Sequence, residues 1–162
     1  MNKSFYRTLG LVVTLVLAGC GWENARAQTG LRATAHRRQE AASLYKRLGG
    51  YDALAAVTDD FVGRLVSDKQ LMRFFGGVST DSRKRIRQLV LDQLCAATGG
   101  PCIYIGRSMR ASHEGLGITE DDWNIAVKLL VETLDKFKVP KAEQGELAKL
   151  LTTLKPDIVD KK

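Results

Sequence analysis

Histidine is almost missing from this chain. Only two occur in 162 residues, His36 and His113. That excludes a site built from several imidazoles and puts any imidazole chemistry on one or two side chains. Long apolar runs are also scarce, and the stretch from Leu9 to Ala18 is too short to span a bilayer comfortably. No segment of useful length alternates apolar and polar residues, so strands are not expected. No Arg-rich stripe interleaved with aromatics occurs either, which argues against nucleic acid as a partner.

What is present describes an ordinary globule. The chain is 44% hydrophobic and 27% charged, and its length suits one domain. Its formal charge of +7 falls to +5 without Lys3 and Arg7, and much of the remainder lies in the stretch RATAHRRQE. Residues 1–19, with a basic start and a short apolar run, have the form of a secretory signal peptide. Leu17-Ala18-Gly19-Cys20 resembles a bacterial lipobox. That resemblance implies acylation of Cys20, export to the periplasm and attachment to a membrane surface through lipid chains. An ordinary signal peptide that carries a cysteine is the alternative. Residues 20–42 lack an apolar period and are expected to be a tether, with His36 a solvated linker residue.

The domain is expected to span residues 43–162. In an exported chain Cys95 and Cys102 meet oxidising conditions. On one unbroken helix their Cα atoms would stand about 10.5 Å apart, too far for a disulfide. Gly99-Gly100-Pro101 lies between them and breaks the helix. Both a disulfide across that turn and two buried thiols are compatible with this spacing.

From Ser43 onward the apolar period is helical. Leu54, Val57, Phe61 and Leu65 share one face, as do Ile86, Val90, Leu94 and Ala97. QLMRFFGG forms a short apolar turn ended by glycines. Thr119 with Asp122 resembles a capping box, followed by the stripe Trp123, Val127, Leu130, Leu134 and Phe137. Pro140 suits a first helical turn and precedes Leu147, Leu150, Leu151, Leu154 and Ile158. The prediction is an all-α chain with four substantial helices and some short pieces. Gly49-Gly50, Gly76-Gly77 and Gly99-Gly100 allow steep crossings over short connections.

SLYKRLGGYDALAAVTDDF, LMRFFGG and GGPCIYIGRSMRASHEGLGIT resemble, in that order, the ordered motifs of the group I truncated haemoglobins. The resemblance runs from residue 43 to about 159. It implies a truncated globin, a two-over-two helical sandwich around a b-type haem. The chain has no CxxCH, so covalent c-type attachment has no support.

A histidine near a helix end is by itself compatible with a favourable interaction with the helix dipole. Ile105, Met109 and His113 are expected on one helical face, with Gly115 and Gly117 ending the segment. In MRASHEGLGIT, His113 stands where the family has its proximal iron ligand, and globins take one axial imidazole. Expected walls of the haem slot are Phe61, Phe74, Phe75, Tyr104, Met109, Trp123 and Val127. Arg83, Lys84, Arg87, Arg107 and Arg110 are candidates for the propionates, with Arg107 and Arg87 preferred.

The distal side departs from the family. Where a tyrosine commonly follows the phenylalanine of the first long helix, this chain has Val62. Counting nine residues back from Gly99 reaches Val90 where the family commonly has glutamine, and Ile86 takes the gate position. A register shifted by two residues brings Gln88 there instead, but the two positions point about 200° apart, so one helix cannot use both. Val90 is preferred because it continues the stripe from Ile86 to Leu94. The expected function is reversible binding of a diatomic gas (O2, NO or CO) by five-coordinate iron with an apolar distal pocket. An NO dioxygenase or other haem redox enzyme, served by an unidentified reductase, is the alternative. A haem-free helical interaction lipoprotein is a third.

Overall fold

The computed structural model describes residues 42–160. The expected signal peptide, Cys20, the tether and His36 lie outside the described residues. Within them the structure is helical and contains no strand. The helices are α1 (Leu44–Arg47), α2 (Gly50–Ser67), α3 (Thr80–Ala97), α4 (Met109–His113), α5 (Glu120–Lys136), α6 (Lys141–Thr152) and α7 (Lys155–Ile158), with a 3₁₀ turn at Leu71–Phe75 between α2 and α3.

Helix α2 is the centre of the packing. It touches the 3₁₀ turn, α3 and α5, while α1 bridges α2 and α6. One core joins α1, α2, α3, α5 and α6 through Leu44, Leu54, Val57, Leu91, Leu94, Leu130, Leu134 and Leu147. Leu54 is 2% exposed and Leu91 is 0% exposed. The sharp entry to α2 needs glycine at Gly49, whose φ is 96°.

Local signals set most boundaries. The Ser79 hydroxyl accepts from the Ser82 amide at the start of α3. Thr119 and Asp122 form the expected capping box at the start of α5. Pro140 stands at the N-cap of α6, one residue ahead of the helix rather than inside its first turn. The final stripe is divided between α6 and α7. Pro156 explains the break: it has no amide hydrogen, and its ring excludes the carbonyl of the residue four earlier.

Other expectations are corrected. Residues 101–108 are not helical, so Ile105 does not share a helical face with Met109 and His113. Ile105 is 80% exposed. The helix begins only at Met109, where the Ser108 hydroxyl accepts from the Ala111 amide. Ala97 is exposed, and the fully buried face of α3 is Leu91, Leu94 and Cys95. Phe137 lies just past the end of α5 and is exposed.

Cys95 and Cys102 form a disulfide, with Cα atoms 5.7 Å apart. The turn at Gly99-Gly100-Pro101 closes that distance, and the Gly100 amide donates to the Cys95 carbonyl at 2.8 Å. The bond ties the C-terminal end of α3 to the segment leading toward α4.

Candidate functional site

His113 is the last residue of α4 and is half-buried. Its Nδ1 lies 2.7 Å from the Met109 carbonyl oxygen, one turn earlier. A carbonyl can only accept, so Nδ1 carries a proton, and in the neutral ring the lone pair is on Nε2. Gly115 and Gly117, with φ of 79° and 68°, then turn the chain away. This segment is held from behind by the C-terminal end of the chain. Helix α4 packs on α7, Arg110 pairs with Asp157, and Asp160 accepts from the Gly117 amide while its own amide donates to the Ile118 carbonyl. The sequence reading missed Asp157 and Asp160, because nothing local marks residues over forty positions away as partners.

Among the described residues no three His, Cys, Asp or Glu side chains gather into a metal site. A lone imidazole with a free Nε2 suits a metal whose other ligands come from a macrocycle.

The expected wall residues Phe61, Phe74, Phe75, Tyr104, Met109, Trp123 and Val127 are all half-buried, and so are the distal-side residues Val62, Ile86 and Val90. Phe61 and Val90 rest against the core. Because α2 touches the 3₁₀ turn, α3 and α5, the elements carrying Phe61, Phe74, Val90 and Trp123 are neighbours. The guanidinium of Arg73 lies over the Phe74 ring, 4.4 Å from its centre.

On α2 and α3 the placement is mixed. Val62 lines a cleft of about 510 Å³ with Asp59, Arg83, Lys84, Arg87 and Gln88; Ile86 and Val90 are not among its lining. The Gln88 amide donates to Asp92 at 2.9 Å and to the Tyr51 hydroxyl at 3.2 Å, and its oxygen accepts from Arg87. That side chain is engaged along the helix surface, whereas Val90 packs on the core.

The preferred propionate partners differ from one another. Arg87 closes its guanidinium fork on Asp59 at 2.6 and 2.9 Å, and that hydrogen bonding raises its already high pKa. It is committed within the protein. Arg107 is exposed and has no ion-pair partner among the described residues. Lys84 reaches Asp81, and Arg110 reaches Asp157.

The profile of the bacterial-like globins matches residues 43–160. A group 1 truncated haemoglobin of Mycolicibacterium paratuberculosis is 34% identical over 122 residues, covering 75% of this chain and 88% of the relative. The chain belongs to the group 1 truncated haemoglobins, among the bacterial-like globins. A second relative, from Synechocystis, is 31% identical to this globin over 65% of this chain and 86% of its own length. In structure, this globin is similar to the ferric truncated haemoglobin of Tetrahymena pyriformis, with a TM-score of 0.69 and 25% identity over 74% of this chain and 100% of that one. It is also similar to the 2/2 haemoglobin of a Synechococcus species, crystallised in the cyanomet state, with a TM-score of 0.67, 28% identity and the same coverage. The fold is thus the two-over-two truncated globin.

Membership of this family implies a haem with its iron. The donor set of this globin fits one: the neutral tautomer of His113 set by the Met109 carbonyl has Nε2 as its donor atom, and half-buried apolar side chains from α2, the 3₁₀ turn, α3, α4 and α5 supply apolar surface.

Proposed function

We propose that this globin holds a b-type haem through His113 Nε2 and reversibly binds a diatomic gas, O2, NO or CO. A bound haem would supply an iron able to coordinate a diatomic gas. The observation that carries the proposal is the bond from His113 Nδ1 to the Met109 carbonyl, which fixes the tautomer and leaves Nε2 as the ligand atom. The apolar side chains exclude water from the ring. We assign Val62, Ile86 and Val90 to the gas side; none of their side chains is a hydrogen-bond donor, although Val62 also borders the charged cleft that holds Gln88. The absence of one neutral hydrogen bond costs a gas of polar character about 0.5–1.5 kcal/mol. This favours rapid exchange over tight O2 storage.

The N-terminus supports a location. We infer export and anchoring through acylated Cys20, because residues 1–20 carry the signal-peptide and lipobox pattern. The Cys95–Cys102 disulfide supports the same reading, since such bonds persist in oxidising compartments. Metabolic labelling with a fatty acid tests it: label lost in Cys20→Ala supports the anchor, and label absent from the wild type rules it out.

The test of the main proposal is the visible spectrum of purified protein in its ferric, ferrous and ferrous-CO states, for the wild type and His113→Ala. A Soret band in the wild type that loses its histidine-ligated signature in the variant is the expected result. Unchanged haem affinity in His113→Ala refutes the assignment, and no Soret band after haem addition refutes haem binding. Rapid, stoichiometric nitrate production from NO in oxygenated solution would instead make the protein an NO dioxygenase, working with a reductase.

A further inference from the structure

The 3₁₀ turn carries Phe74 and Phe75, yet little apolar burial holds it. Leu71 alone in it is buried, Met72 is exposed, and both phenylalanines are half-buried. Short 3₁₀ segments also have poor hydrogen-bond geometry of their own. Something else must fasten this corner.

Asp122 does so. Its side chain is 1% exposed. One oxygen, Oδ2, accepts from the Thr119 amide at 2.9 Å, from the Thr119 hydroxyl at 2.8 Å and from Arg73 Nη2 at 2.7 Å. The other, Oδ1, accepts from Gln70 Nε2 at 2.8 Å. A helix cap requires only the Thr119 contacts. The other two donors arrive from 52 and 49 positions away, at the start and within the corner. Arg73 then passes the constraint on: its Nη1 donates to the Gln70 carbonyl at 2.8 Å, and its guanidinium covers the Phe74 ring. A buried carboxylate with four donors has its lost hydration replaced, whereas removing part of such a network leaves buried polar groups unpaired.

The position of Asp122 in the chain gives the network its meaning. Thr119 and Asp122 begin α5 directly after the glycine-rich segment that leaves His113. The same carboxylate therefore touches the end of the segment that follows the ligand and the corner that carries two aromatic walls. We infer that Asp122 is a positioning residue of the haem slot, fastening the Phe74–Phe75 corner to the start of the helix that follows His113. This inference rests on the proposed haem site.

Its test compares three variants. Asp122→Asn removes the charge at constant size. Arg73→Met removes the corner-side donor and leaves the capping box intact. Asp60→Asn is the control, because Asp60 joins α2 to α5 through Arg64, Lys136 and Thr133 and makes no hydrogen bond to the corner among the described residues. Haem transfer to excess apomyoglobin is measured on each holoprotein, and amide hydrogen exchange of residues 70–75 on each apoprotein. Asp122→Asn and Arg73→Met are expected to lose haem about tenfold faster and to exchange faster in the corner. Asp60→Asn should lower the melting temperature without either effect. Haem loss at the wild-type rate in both test variants, or an equal acceleration in Asp60→Asn, overturns the inference. If the wild type takes up no haem, the haem reading fails by itself. Exchange then still decides the anchor: unchanged exchange at 70–75 in Asp122→Asn overturns it.

Discussion

Cutting the Cys95–Cys102 bond gives a perturbation whose size follows from the structure. The bond joins residues seven apart and closes a ring of about eight residues, for which chain entropy assigns about 2.5 kcal/mol. The folded turn has other supports. The Gly100 amide still donates to the Cys95 carbonyl, and the Tyr45 amide to the Thr98 carbonyl, both at 2.8 Å. The loss should therefore come mainly from the freed denatured chain rather than from a collapsed turn. Cys102→Ala is the better variant, since Cys102 is half-buried while Cys95 is fully buried and belongs to the core. Urea unfolding of the apoprotein, followed by far-ultraviolet circular dichroism, should show about 2.5 kcal/mol less stability, and the melting temperature should fall by about 10 °C. Reducing the wild type with dithiothreitol should reproduce most of that change. Equal stability of oxidised wild type, reduced wild type and variant refutes the reasoning. A loss above about 5 kcal/mol also refutes it, because the chain-entropy account does not reach that far.

Other predictions address packing, acid and the gas side. Gly100→Ala places a Cβ 2.5 Å from the Tyr45 ring and 2.7 Å from Cys95 Sγ, so it should cost about 1–3 kcal/mol in the same urea titration; a neutral result contradicts the packing of that turn. Asp60 and Asp122 both have carboxyls held down at about 2. Hydrogen bonds from Lys136 and then Arg64 lower Asp60; burial pushes Asp122 up, and the Thr119, Gln70 and Arg73 donors outweigh it. A depressed carboxylate stabilises the fold above its unfolded value of 3.8, and that stability disappears as pH falls toward 2. The urea midpoint should therefore drop steeply across that window in the wild type and less steeply in Asp60→Asn; an identical slope in the variant rejects the assignment. Val90→Gln or Val62→Tyr should slow O2 release several-fold to about tenfold by adding a donor, measured by stopped flow; unchanged release removes that residue from the gas-facing wall.

The long helices were legible because their apolar period is strong. Leu54, Val57, Leu94, Leu130 and Leu147 are all buried as their spacing requires. The segment before His113 was not. Ile105, Met109 and His113 match a helical step, but Pro101 cannot continue the preceding helix, and the Ser108 hydroxyl caps the next one only at Met109. An accidental period thus competed with backbone sterics and lost. The disulfide was left open by spacing alone, since the turn geometry decides whether two cysteines seven apart can meet. His113 stood out because imidazoles are so few. Its supports, Asp157 and Asp160, come from the far end of the chain and leave no local trace. Asp122 was visible only as a helix cap, because its bonds to Gln70 and Arg73 exist only once the chain has folded.

The Met109 carbonyl also limits the electronic character of the histidine. A carboxylate in that place would draw the Nδ1 proton toward itself and give the ring partial imidazolate character. A neutral peptide oxygen cannot take that proton. As the proposed iron ligand, His113 would bind through a neutral imidazole, a modest electron donor. Such a ligand would suit a metal that releases its gas unchanged better than one that drives electrons into an O–O bond.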